Sequence, residues 1–291
     1  MLNKVRIHQC CYLILSLFLI FIMQRNIFST VTDMNPSIVI LFLIIMSFGV
    51  SHGAADSIVI WKTFTKVKMK AIAFLIYLLI VALGLLLWFQ SPILGLIILL
   101  LMSIIHFGQS DLSYLRRGSR SMKLSWGFVM TLLPVIFFQD DVKLIFDTLL
   151  SSDINPAVFS SLRIMAIGFI GSFLFFVWIT KGITSNDKLF LVLEFLTTII
   201  MASLLHPLYW FTIYFCFLHG LRALINIGIK SLKDFLFLIA FTLPITFFSY
   251  FLLFENLQIK YLSIIFSVLM ALTISHMLLP SINRSLLKTF D

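Results

Sequence analysis

Charge is scarce in this chain. Of 291 residues only 11% are Asp, Glu, Lys or Arg, against 61% hydrophobic, and the mean hydropathy is +1.10. Soluble domains carry about 25% charged residues, so this chain has too little polar surface to face water on all sides. It also has no polar stretch long enough to form a soluble domain, which argues against the two such domains its length alone would suggest. Cysteine is sparse as well. Cys10, Cys11 and Cys216 lie in or beside apolar segments and read as small buried hydrophobes, not as a disulfide framework or a zinc site. The apolar runs are continuous, not alternating, which argues against a membrane β-barrel. No small-x-small cleavage site follows the first run. Arg25 and Asn26 stand there instead, so that run is expected to remain as a first membrane helix.

The runs themselves are abundant. A helix needs roughly 20 apolar residues to cross the hydrocarbon core, and candidate spans fall at 9–24, 37–60, 71–90, 92–115, 124–139, 161–180, 189–205, 207–229, 235–254 and 261–282. The expected fold is all-α: a polytopic transmembrane bundle of about ten helices in a single integral-membrane domain, 1–291. The net charge of +9 does not indicate nucleic acid, because the basic residues lie between apolar runs and do not cluster on one soluble face. Taken through alternate linkers, one side carries sixteen of them, and the other side four: Arg25, Lys143, Arg163 and Lys260. That positive-inside bias places both termini in the cytoplasm. The longest outer loop holds Asp140, Asp141, Asp147 and Asp153, and an interfacial helix is expected within 145–162.

Six histidines are present. His8 precedes the first run and His206 opens an outer turn, so both are expected near headgroups or water. The other four, His52, His106, His219 and His276, lie inside predicted helices that all run in one direction. From them to the first cytoplasmic basic residue (Lys62, Arg116, Lys230, Arg284) is 10, 10, 11 and 8 residues. At about 1.5 Å per residue that is ~12–17 Å, close to mid-depth in a core ~30 Å thick. One buried histidine can be helix–helix glue, but four at one level point to a shared centre. Imidazole suits Fe, Cu, Zn and Ni, so these four are the candidate metal ligands.

A charged layer lies just cytoplasmic of them. Asp56 is four residues after His52, Asp111 five after His106 and Arg222 three after His219, while Glu194 is six from Lys188. Metal-bound histidines commonly donate their second ring N–H to a carboxylate. With a divalent cation, three carboxylates and one arginine balance to zero. Asp–Arg pairing that merely satisfies helix packing is the alternative for this layer. Gly53, Gly108 and Gly220 beside the histidines would let the helices approach closely.

The segments "SHGAAD" (51–56), "IHFGQSD" (105–111), "HPLYWFTIYFCFLHGLR" (206–222) and "SHMLLPS" (275–281) occur in an order and spacing that resemble the Brp/Blh family of bacterial and archaeal membrane β-carotene dioxygenases. The resemblance covers nearly the whole chain. It implies a multi-pass cell-membrane enzyme that depends on Fe(2+) and uses O2 to cleave β-carotene centrally into two retinal molecules. It also implies catalytic roles for His52, His106 and His219, with His276 in the last motif. A retinal-binding opsin would be a fitting protein partner. Two positions depart from the family pattern, which has histidine where this chain has Ser57 and Ala223. Those departures motivate a second reading, a non-catalytic carotenoid-binding or opsin-assembly protein on the same fold. A third is a metal or small-solute transporter. That reading predicts charges spaced along a path or broken helices in paired halves, whereas the polar residues here form one layer.

Overall fold

The structure is a computed structural model that describes residues 2–23, 41, 44–45, 47, 51–115, 117–228, 232–255 and 261–290. Their side chains are included except at 2–3, 22–23, 51–52, 241, 244–246, 248–255, 261 and 289–290. Among the described residues all regular structure is helical. The helices are α1 (Leu2–Met23), α2 (Ser51–Thr63), α3 (Val67–Gln90), α4 (Pro92–Asp111), α5 (Arg120–Phe137), α6 (Gln139–Leu150), α7 (Pro156–Ile179), α8 (Ser185–Leu204), α9 (Pro207–Ile227), α10 (Leu232–Glu255) and α11 (Tyr261–Phe290). Six of these described helices, α1, α3, α4, α7, α9 and α11, are long and apolar enough to cross a membrane. This is a multi-pass membrane protein. Its outward faces agree: Leu75, Leu79, Leu83 and Leu86 on α3, and Ile164, Phe175 and Trp178 on α7, are exposed.

Among the described residues eleven helices stand where about ten are expected, and the extra one is α6. The run expected at 124–139 ends at Phe137, Phe138 leaves helical geometry, and α6 continues at 109° to α5. Asp140 and Asp141 in the first turn of α6 suit the positive end of a helix dipole. The stretch in which an interfacial helix is expected thus begins inside a helix, which starts earlier than residue 145 and packs against its neighbours. Ser263 Oγ of α11 donates to the Leu149 carbonyl (3.2 Å) and accepts from Trp88 Nε1 of α3 (3.1 Å).

Helix starts follow local chemistry. Asn155 Oδ1 accepts from Ala157 N–H ahead of Pro156, and Ser119 Oγ accepts from Met122 N–H. His206 caps α9 in the same way, its Nδ1 accepting from Leu208 N–H at 3.3 Å ahead of Pro207. At the other end of α9, Gly228 takes the left-handed conformation (φ 74°) that glycine adopts without strain.

The closest packing joins α4 to α5. A Cβ on Gly108 would lie 1.9 Å from the Lys123 carbonyl oxygen, and one on Gly127 would lie 1.7 Å from that of Ile104. Each glycine thus admits the other helix's backbone, and Gly108 fulfils the close approach expected of it. Trp126 on α5 then fills the core between Phe173 of α7 and Phe195 of α8, at centroid distances of 5.4 and 5.8 Å. Gly108→Ala and Gly127→Ala are each expected to cost about 1–3 kcal/mol or more by overpacking. Thermal unfolding in detergent checks this. Gly168→Ala, with nothing within 4 Å of its Cβ, should leave the midpoint unchanged.

Candidate active site

Three of the four expected histidines converge. The His106 ring on α4 lies 4.8 Å from that of His219 on α9 and 4.9 Å from that of His276 on α11, both nearly perpendicular. His52 belongs to the first turn of α2, and its side chain lies outside the described residues. Each outer ring is held by a carboxylate from a different helix. His219 Nδ1 is 2.7 Å from Asp111 Oδ1 of α4, and His276 Nδ1 is 2.7 Å from Asp56 Oδ1 of α2.

Donor logic fixes the tautomer of the first pair. Asp111 Oδ2 accepts from Trp126 Nε1 (2.9 Å) and from Tyr214 Oη (2.7 Å). Indole N–H can only donate, so Asp111 acts as an acceptor that gathers donors. His219 Nδ1 then carries a proton, and in the neutral ring Nε2 would keep the lone pair. His276 with Asp56 follows the same scheme. The helix is shaped for this. In an α-helix, side chains five residues apart point about 140° apart. Tyr214 and His219 are five apart, yet both reach Asp111. They sit in a π-helical stretch, Tyr214–Gly220, whose wider turns bring residues i and i+5 toward one side.

Arg222 and Glu194, both fully buried, form the ion pair expected of the charged layer, with Nη1 2.7 Å from Oε1. Arg222 also donates to the Asp111 carbonyl at 3.3 Å and to His8 Nδ1 at 3.4 Å. His8 in turn donates from Nε2 to the Phe217 carbonyl at 2.8 Å. Gln9 donates to Glu194 Oε2 at 2.8 Å and to Tyr114 Oη at 3.1 Å. His8, expected near headgroups, is instead buried within this network. Polar residues recurring at 8–9, 12 and 16 on an otherwise apolar helix were the signal for it. Tyr12 and Ser16 are buried on the same face.

An apolar cavity opens beside His106, between α4, α5, α6, α9 and α11. A ladder of rings runs along it to the histidines. Phe266 stacks on Phe211 (5.8 Å), Phe211 on Phe215 (5.1 Å) and Phe215 on His219 (5.8 Å). The i, i+4, i+8 spacing of Phe211, Phe215 and His219 was the sequence signal for this wall.

Neutral imidazoles oriented by carboxylates suit iron and other borderline metals, so the donor chemistry fits. Among the described residues, no group of three or more His, Cys, Asp or Glu side chains is arranged to hold a metal ion. The three rings meet edge to face, at the spacing of packed aromatics.

Residues 43–282 match the family model described as β-carotene 15,15′-dioxygenase. The chain belongs to that family. The β-carotene 15,15′-dioxygenase of uncultured marine bacterium 66A03 is 30% identical over 196 residues, covering 62% of this chain and 65% of that protein. The match thus takes in a little under two thirds of the relative's length. No solved structure matches the chain. The family match covers both His–Asp pairs and the cavity but begins after α1, so His8 and Gln9 come from outside it. Where the family pattern has histidine, Ser57 turns its hydroxyl back to the Ala54 carbonyl (2.6 Å), and Ala223 is buried. Neither supplies a donor to the histidine cluster.

Glu194→Ala would leave the Arg222 charge buried and unpaired, at a cost of about 3–5 kcal/mol. Its thermal midpoint should fall sharply, and the double variant Glu194→Gln/Arg222→Gln should recover most of the loss.

Proposed function

We propose that the protein cleaves β-carotene at its central double bond with O2, giving two molecules of retinal. The observation that carries this reading is the position of His106, whose ring packs against both carboxylate-held imidazoles and also lines the apolar cavity. Membership of the family and similarity to a bacterial β-carotene 15,15′-dioxygenase support the substrate. A rigid hydrocarbon that partitions into the bilayer meets such a cavity at the depth where it resides.

A ferrous ion held by His106, His219 and His276, with His52 as a fourth imidazole, would supply activation of O2. Asp111 and Asp56 hold the Nδ1 protons of His219 and His276 and so keep Nε2 as the donor atom. Phe211, Phe215 and Phe266 give the polyene flat faces to lie against, and the apolar walls exclude water. One double bond breaks and each half takes one oxygen atom, so O2 is used entirely and no further reductant is required.

The site belongs to a single membrane domain, 1–291, that crosses a bacterial or archaeal inner membrane ten times with both termini in the cytoplasm. The distribution of basic residues and a described helix overlapping each expected span support this, with most of 37–50 outside the described residues and α6 as an additional interfacial helix. A retinal-binding opsin is the protein that would take the product. Ser57 and Ala223 favour one second reading, in which the same cavity binds carotenoid without cleaving it.

Co-expression with a β-carotene pathway tests the proposal. Colour should fade and retinal should accumulate, while His219→Ala abolishes both retinal and bound iron. Asp111→Asn should lower them about 10–100-fold, as for other partners that orient a metal ligand. An unchanged carotenoid pool beside membrane-inserted protein overturns cleavage, and purified protein that holds carotenoid without iron selects the second reading.

A further inference from the structure

A second pocket lies away from the histidines, where α2 ends and α10 begins. Its empty volume is about 410 Å³, and its walls are Ile58, Trp61, Lys62, Lys233, Asp234 and Phe237. The floor is apolar, with Trp61 and Phe237 rings 5.6 Å apart and Trp61 partly exposed. The rim is cationic. Lys62 Nζ is 2.7 Å from Asp234 Oδ2, and Lys70 Nζ stands 3.8 Å over the Trp61 ring. Asp234 thus pairs with Lys62, and Lys233 and Lys70 are the further cations around the Trp61 floor.

Lys233 makes the surplus sharper. It sits in the first turn of α10, at the positive end of a 24-residue helix, where a cation is disfavoured and an anion is favoured. The α2–α3 turn beside it adds Lys66 and Lys68, both exposed. An indole at the end of an apolar helix marks the membrane–water interface, and basic pockets between helices at that level suit lipid headgroups.

We propose that this pocket binds an anionic glycerophospholipid. Its phosphate is held by Lys233 and Lys70 at the start of α10, and one acyl chain runs down over Ile58, Trp61 and Phe237. The site is separate from the histidine cluster and does not depend on what the large cavity binds.

The test uses the full-length protein in nanodiscs of phosphatidylcholine with and without phosphatidylglycerol, read by thermal midpoint and by lipid retained in native mass spectrometry. Phosphatidylglycerol should raise the midpoint and remain bound. Lys233→Gln and Lys70→Gln should each weaken retention about fivefold, the value of one lysine at an anionic surface, and Trp61→Ala should also reduce it. Lys181→Gln, an exposed cation in another turn, should behave as wild type, and helical circular dichroism of each variant confirms folding. Retention that is equal in wild type, Lys233→Gln and Lys70→Gln overturns the proposal. Equal stabilisation by inorganic phosphate in pure phosphatidylcholine overturns it as well, in favour of a soluble phosphate ligand.

Discussion

A carboxylate with no access to water must be surrounded by donors, and the arrangement of the bundle follows from how Asp111 is surrounded. Its Oδ1 faces His219 Nδ1 at 2.7 Å, its Oδ2 receives Trp126 and Tyr214, and its carbonyl receives Arg222. Those donors come from α5 and α9, so one side chain at the end of α4 ties three helices together. The other features serve that geometry. Gly108 and Gly127 let α5 approach closely enough for Trp126 to reach. The π-helical stretch turns Tyr214 and His219 toward the same carboxylate. A buried polar group left unmet costs roughly 1–3 kcal/mol, and more when charged, so each of these accommodations has a reason to persist.

The polar layer and the apolar cavity meet at His106. On one side stand imidazoles, carboxylates and Arg222, where a single missing partner is costly. On the other stand Phe211, Phe215, Phe266 and aliphatic side chains that demand no partner. Only a ring that packs against His219 and His276 while facing the cavity connects the two. The division suits a hydrocarbon substrate, which needs shape along most of its length and chemistry at one point.

Much of this was legible in the sequence. Continuous apolar runs cover most of every described helix except α6, with ends that, outside 37–50, differ by as much as eight residues, and the distance of each histidine from its basic anchor put His106, His219 and His276 at one level. What was not legible were neighbours. Periodicity says which face a residue occupies, not which helix that face meets, so the pairing of Asp111 with His219 and of Asp56 with His276 could not be read from motifs that set each aspartate near the histidine on its own helix. His8 and Gln9 were hidden by company: next to Lys4 and Arg6 they look like an interfacial segment. The start of α6 was hidden because Asp140 and Asp141, directly after the apolar run, read as an outer loop and not as the first turn of a new helix.

Charge balance carries the reading of the site one step further. Asp56, Asp111 and Glu194 are exposed by 2%, 0% and 0%, and against them stands Arg222, also at 0%. Three carboxylates and one guanidinium leave two negative charges in a region of low dielectric, where uncompensated charge is strongly disfavoured. Two protonated imidazoles, or one divalent cation among neutral rings, would offset them, as would protonation of the carboxyls themselves. The first choice places both positive charges on rings that each pack edge-on against the same third ring, His106. The second places them on one ion, and uses the Nε2 lone pairs that Asp111 and Asp56 preserve by holding the Nδ1 protons. The second would also engage His106, which packs against both rings and lines the cavity.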